Sequence, residues 1–414
     1  MRSGRSTTRR WFAALALLLV AAACGGGDPS GPTRELVVAI NAPFSKEPFV
    51  GTTIAQGAQL AADQINDKGG VDVGGTAYRL RIVRLDNGLS PQQAVANMRR
   101  AIGDHAVAVI DEGTGIDASW QVANAAHLPV CIVYQGGEGL VDLDHRPNVF
   151  RIAPTDHGIA FRLAEYVIPK GQKVALMHDD TDYGQEGHRA LRESFGHNPE
   201  SVAADLPLTA GADPGPQVLE ARRSGATALL VWARGSTLAQ VIRAARSSGW
   251  GVPVYAPASG EDPVVRQQLS DHPEWVDGLT FAAGRMTAEV GPGPFLRFQS
   301  AYEKAFGPDL VGVKTSTGKE VVQPPDYTMY PYDFVHVLAA ALEAAHTTDA
   351  AAVLRSLNEV DVKGANGDNR GFNEKNHEGV VDDDVYFAVF HDMTFAPVKD
   401  DPLSSTLDVI RQTR

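Results

Sequence analysis

Short, continuous apolar runs alternate along this chain with segments whose apolar residues recur at helical spacing. Leu36-Val37-Val38-Ala39-Ile40 reads as a first buried strand. From about Thr53, residues Ile54, Ala58, Ala61, Ala62 and Ile65 share one helical face, which Gly69-Gly70 stops. Tyr78 to Leu85 alternates apolar and basic residues as a second strand does, and Ser90-Pro91 opens a capped helix to Ile102. A third strand, Ala106 to Ile110, runs into the turn Asp111 to Ser119 and a helix carrying Ile116, Trp120, Val122, Ala123 and Ala126. The apolar strand Pro129 to Tyr134 follows. After Pro154 the pattern resumes, with helices at Ile159 to Val167 and Glu186 to Phe195. Strands are expected at Lys173 to His178, Ala228 to Ala233, Val252 to Ala256 and Leu279 to Ala283. Beyond Gly284 it becomes mainly helical (Phe295 to Phe306, Tyr330 to His346), before a last strand, Val385 to Phe390, and a polar, turn-rich tail. Such alternation predicts parallel sheets with helices on both faces.

The first residues follow another rule. Arg2, Arg5, Arg9 and Arg10 precede an apolar run from Trp11 to Val20, too short for a stable membrane span, and Ala21-Ala22-Ala23-Cys24 resembles a bacterial lipobox. Residues 1–23 are therefore expected to be a lipoprotein signal peptide, Cys24 the lipidated residue, and residues 24–34 a flexible Gly-rich tether. Thr8-Arg9-Arg10-Trp11-Phe12 also resembles a twin-arginine signal, so the export route stays open. The net charge of −13, more negative once the leader arginines are gone, argues against nucleic acid and anionic membrane surfaces as partners. With Cys24 modified, Cys131 stands alone in an apolar strand and reads as a buried thiol. The length and the 43% hydrophobic content suffice for two cores.

The turn Asp111-Glu112-Gly113-Thr114-Gly115 is the first candidate site. Gly113 and Gly115 let backbone approach a ligand, Thr114 adds a hydroxyl, and the N–H groups opening the next helix favour an anion. Arg234, at the end of the Ala228 strand beside Trp232, is a candidate bidentate clamp for a carboxylate. Gly113-Thr114-Gly115-Ile116-Asp117-Ala118 formally fits a dinucleotide fingerprint, but it follows the third strand instead of the first and lacks a ribose-binding acid near Tyr134. The histidines are scattered, and the runs Asp142-Leu143-Asp144-His145 and Asp382-Asp383-Asp384 lack metal-ligand spacing. No cofactor, metal or catalytic residue is therefore expected.

Gly57-Ala58-Gln59-Leu60-Ala61-Ala62-Asp63-Gln64-Ile65-Asn66 with Gly69-Gly70 resembles the first helix of the leucine/isoleucine/valine-binding family, the type I solute-binding proteins of branched-chain amino acid ABC transporters. Leu85-Asp86-Asn87, Ser90 to Val95, His178-Asp179-Asp180-Thr181-Asp182-Tyr183-Gly184 and Ala244 to Gly249 resemble later family segments in the same order. The resemblance implies two Rossmann-like lobes with parallel-sheet cores joined by a three-crossing hinge. Crossings are expected near Arg151 to Asp156, Phe281 to Arg285 and Gly364 to Gly371, making residues 35–153 plus 285–365 one lobe and 154–284 plus 366–414 the other.

The resemblance also implies site residues. Thr114 and Gly115 stand where the family offers donors to a ligand carboxylate, Tyr183 where a tyrosine closes over it, and Phe49, or else Phe44, where an aromatic wall stands. Gln135-Gly136-Gly137-Glu138 replaces a small, hydroxyl-bearing loop; Glu138 repels a carboxylate unless it points away, or it meets an amine or hydroxyl. Ala258 stands where the amino-acid binders place an acid for the ammonium, so a conventional branched-chain amino acid is expected to bind poorly. The implied protein is a monomeric, membrane-tethered extracytoplasmic receptor that delivers a small amino-acid-like or carboxylate-bearing solute to an ABC permease. A sensor built on the same cleft, or a secreted α/β enzyme, is the alternative.

Overall fold

The computed structural model describes residues 34–284, 286, 291–380, 385–407, 410 and 412–414, so the expected leader, Cys24 and most of the tether lie outside the described residues. The first part of the chain runs β1 (Arg34–Ala42), α1 (Pro48–Asp67), β2 (Val71–Val73), β3 (Thr76–Asp86), α2 (Pro91–Gly103), β4 (Ala106–Asp111), α3 (Ile116–Ala125), β5 (Val130–Ile132) and β6 (Val149–Arg151). These strands form one sheet in the order β2-β3-β1-β4-β5-β6, parallel except for the β2–β3 hairpin. Ser90 caps α2 as expected, accepting from the Gln93 N–H at 3.3 Å.

A second set follows: α4 (Asp156–Val167), β7 (Val174–Asp179), α5 (Asp182–Ser194), β8 (Val202–Leu208), α6 (Gly215–Arg223), β9 (Ala228–Trp232), α7 (Gly235–Ser247), β10 (Val254–Ala256), α8 (Pro263–Gln268) and β11 (Leu279–Gly284). The chain returns through α9 (Gly293–Phe306), β12 (Leu310–Lys314), β13 (Glu320–Val322), α10 (Met329–Ala345), α11 (Ala350–Leu357), β14 (Asp361–Lys363) and β15 (Asn369–Gly371). It ends with β16 (Val385–His391) and β17 (Thr394–Pro397). The second sheet is ordered β17-β16-β11-β10-β9-β7-β8, with β16 antiparallel to β11. The expected polar tail thus begins with a strand instead: Asp392 and Met393, both at positive φ (48° and 66°), turn the chain so that β17 pairs back on β16.

α9 and α10 pack on α1, so the third stretch rejoins the first sheet's lobe. Two parts of the expected division need correction. The β12–β13 hairpin leans on α8 of the second lobe, and the Val322 N–H donates to the Gln412 carbonyl at 2.8 Å. β15, placed at the third crossing, packs on α10 of the first lobe, as does β14 just before it; Phe372 lies against Phe150 of that lobe at 4.7 Å between ring centroids. The chain re-enters the second sheet only at Val385, because the Arg151–Glu378 ion pair keeps the segment after β15 against β6. No single described helix is long and apolar enough to cross a membrane.

Candidate functional site

The loops after β4, β7, β9 and β10 leave the carboxyl ends of parallel strands, where open α/β sheets place their ligands. After β4, Gly113 and Gly115 take φ of 122° and 79°, as that turn requires. A Cβ at Gly113 would lie 2.4 Å from the Gln135 side chain, and one at Gly115 would lie 2.7 Å from Ala94. At both positions the missing side chain lets protein pack on protein.

Glu112, to which sequence reasoning gave no role, occupies this turn. It is fully buried; its Oε2 accepts from the Thr114 N–H at 3.1 Å and its Oε1 from Gln135 Nε2 at 3.0 Å. Gln135 Nε2 also donates to Thr114 Oγ1 at 3.0 Å. Of the donors expected to hold a solute carboxylate, the Thr114 N–H thus holds the chain's own carboxylate. Neighbouring Asp111 accepts from Asn41 and from the Gly113 N–H, and burial pushes its carboxyl up to about 7.

Arg234 approaches from the second lobe. It is the residue before α7, 6% exposed, and its backbone N–H donates to Asp179 Oδ2 at 2.8 Å. Its Nη2 stands 3.5 Å from Glu112 Oε1, and its guanidinium lies 5.0 Å over the Tyr183 ring. Nε and Nη1 have no hydrogen-bond partner among the described residues, nor does the Tyr183 hydroxyl. Tyr183 itself is buried in the first turn of α5, which Thr181 caps. Trp232 is a packing residue: a Cβ at Gly187 would fall 1.9 Å from its ring, so α5 lies directly on the indole.

Two more carboxyls missed in the sequence face this arginine. Glu47 precedes α1, and Asp262 caps α8 by accepting from the Val264 N–H at 2.9 Å. Both line an interlobe cavity of about 400 Å³, with Phe49, Thr53 and Ser236. Burial raises Glu47 to about 7, against the pull of Arg234 and with help from Asp262 and Glu112. Asp262 rises to about 6 through burial, with its Val264 hydrogen bond opposing. Nothing but position identifies these residues, since a glutamate before a proline-led helix and an aspartate cap are ordinary surface devices.

The remaining expected residues divide. Phe49 lines the cavity, whereas Phe44 packs on Gly51. Gly136 is a packing position, since a Cβ there would lie 2.4 Å from the Asp156 nitrogen, and the Gly137 carbonyl accepts from Arg151 at 3.0 Å. Glu138 is exposed on the rim, 3.6 Å from His157. Ala258 is half-buried, opening the short turn after β10. Cys131 is buried as expected, and burial pushes its thiol up.

Two α/β lobes with an acid-rich cavity between their strand ends define the class of the solute-trapping binding proteins. The sequence profile of the periplasmic binding protein family matches residues 37–401, and the chain belongs to that family, in its type I, leucine/isoleucine/valine-binding branch. An amino acid binding protein of Pseudomonas aeruginosa is 26% identical over 308 residues, covering 72% of this chain and 75% of the relative. The fold is similar to a type 1 periplasmic binding protein of Bordetella pertussis, with a TM-score of 0.76, 21% identity, and 88% of this chain and 100% of the other covered. It is also similar to a branched-chain amino acid transporter substrate-binding protein of Streptococcus pneumoniae in complex with isoleucine, at TM-score 0.71 and 20% identity, covering 87% and 98%.

Proposed function

We propose that this chain is the lipid-anchored, extracytoplasmic receptor of an ABC importer and that it captures a small amino-acid-like solute between its lobes, performing no chemistry on it. The observation that carries the reading is Arg234, a buried guanidinium with two N–H groups unpartnered among the described residues, which interacts electrostatically with Glu47 and Asp262, two acids that line the interlobe cavity together with Lys46 and Asp309. A solute carboxylate satisfies Nε and Nη1 of Arg234. Its ammonium meets Glu47 or Asp262, which stand in for the acid that Ala258 does not provide. Branched-chain amino acids therefore return as candidates, and the names of the relatives support the amino-acid class.

Isothermal titration of the folded chain with an amino acid, the matching amine and the matching carboxylic acid tests this. The zwitterion should bind more tightly than either half-ligand, and equal affinity for a solute lacking both charges would overturn the assignment. Uptake of the bound solute should fall in cells lacking the chain. Cys24→Ser should release the chain into the soluble extracytoplasmic fraction.

A further inference from the structure

Away from the cleft, three elements of the second lobe bring together side chains that lie far apart in sequence. His178 is near the end of β7, His188 is on α5 and Asp205 is on the edge strand β8. His188 Nε2 lies 2.8 and 3.0 Å from the two Asp205 oxygens, and His178 Nδ1 lies 4.0 Å from Asp205 Oδ1. The two imidazoles stack, with centroids 3.8 Å apart and ring planes at 11°. One ligating atom from each residue falls within 4.8 Å of the other two.

We propose that His178, His188 and Asp205 form a zinc-binding site of two imidazole nitrogens and one carboxylate oxygen. His178 Nδ1 is buried, has no hydrogen-bond partner among the described residues, and stands beside the Asp205 carboxylate. Arg192 Nη1 holds Asp205 Oδ2 at 2.9 Å and leaves Oδ1 facing the histidines. Arg189, the other nearby cation, is paired with Glu186. The cluster opens onto a cavity of about 520 Å³ lined by Asp180, Gln185 and Pro207, which has room for water as a fourth ligand. Two nitrogens, one oxygen and an open position suit zinc, whereas magnesium and calcium want oxygen donors throughout. Binding asks the stacked rings to open from their near-parallel angle so that both nitrogens reach one ion. The site shares no residue with the cleft, so its test does not depend on the solute.

The experiment uses the untagged chain, stripped with chelator and titrated with Zn²⁺ by calorimetry, with Co²⁺ absorption as a second signature. We expect one saturable equivalent, a raised Tm, and a cobalt spectrum of nitrogen and oxygen ligation. His178→Ala and His188→Gln should each weaken binding by about tenfold or more, the scale set by losing well-placed ligation. His188 is partly exposed, so its variant should keep the native far-UV spectrum and remain interpretable if His178→Ala does not fold. His157→Ala serves as the control, because Glu138, His157 and Glu193 form the other cluster of possible ligands among the described residues, two of the three exposed. No saturable binding, undiminished affinity in His188→Gln, or loss of binding in His157→Ala would each overturn the assignment.

Discussion

Two arginines of the second lobe lie buried among acids, and they are built for different tasks. Arg266, on α8, is fully buried and tied through both terminal nitrogens, with Nε alone unpartnered among the described residues: it donates to Gln323 after β13, to the Glu261 carbonyl at 3.3 Å and to the Met393 carbonyl at 3.4 Å. Gln323 in turn donates to Glu261 at 2.6 Å. Arg234 has one ion pair, at 3.5 Å and across the cleft, and two unpartnered N–H groups. Their electrostatics diverge as well. Burial lowers Arg266 to about 10, with Glu261 and Asp262 only partly offsetting it. Burial also works against Arg234, yet Glu112 and Glu47 outweigh it and raise that guanidinium above its ordinary range. Burial of a charge is thus no mark of a binding site; what separates the two arginines is that Arg234 leaves two donors unused and is held above its ordinary range by its acids, whereas Arg266 spends both terminal nitrogens within the fold.

The largest expected effect is on folding. Arg266→Ala should lower unfolding free energy by about 3–5 kcal/mol, the cost of breaking a buried charged network, and should leave solute affinity of the folded protein unchanged. Urea denaturation with calorimetry on the folded fraction reads both; if affinity fell along with stability, the two arginines would not be separable. Arg234→Ala should cost about 2–4 kcal/mol of solute binding, roughly a thirtyfold to thousandfold loss in Kd. A variant that still binds normally would remove Arg234 from the site.

Glu47→Gln comes next, with about a tenfold loss for an amine-bearing solute, since Asp262 remains in the cavity. Its pH signature has a definite sign. Native Glu47 keeps its proton up to about 7 and the unfolded group loses it near 4.5, so this group's contribution to stability is present below 4.5 and fades as pH rises through 7. Binding of an ammonium runs the other way and strengthens over the same interval as the carboxyl ionises. Glu47→Gln should flatten both trends, which thermal melts and titrations at pH 5 and 8 would detect. Thr114→Ala should change least, by about 1 kcal/mol or less, because its hydroxyl accepts from Gln135 within the turn and does not line the cavity. A large loss there would mean that the hydroxyl turns to the solute on binding.

Much of the architecture was legible because strand and helix periods differ: β1, β4, β7, β9 and β16 fall where apolar runs are continuous, and β3 where apolar and basic residues alternate. β2, β8 and β17 escaped because edge and hairpin strands lack such runs, and β8 is mostly half-buried. The site was less legible. Thr114, Tyr183 and Arg234 come together, but their decisive neighbours Glu112, Glu47 and Asp262 resemble ordinary turn and cap residues until the fold buries them. The His178, His188 and Asp205 cluster was invisible for the same reason, since β7, α5 and β8 assemble it.

Glu112 carries one more consequence. Its carboxylate accepts from the Thr114 N–H and from Gln135 after β4 and stands 3.5 Å from Arg234 Nη2. If the proposed solute carboxylate reaches these same donors, it has to displace a competitor that is tethered and never diluted, and the apparent affinity equals the intrinsic one scaled by the fraction of time Glu112 is displaced. Glu112→Gln should then lower the solute concentration at which the trap fills, and an unchanged threshold would place the solute on Nε and Nη1 of Arg234 alone.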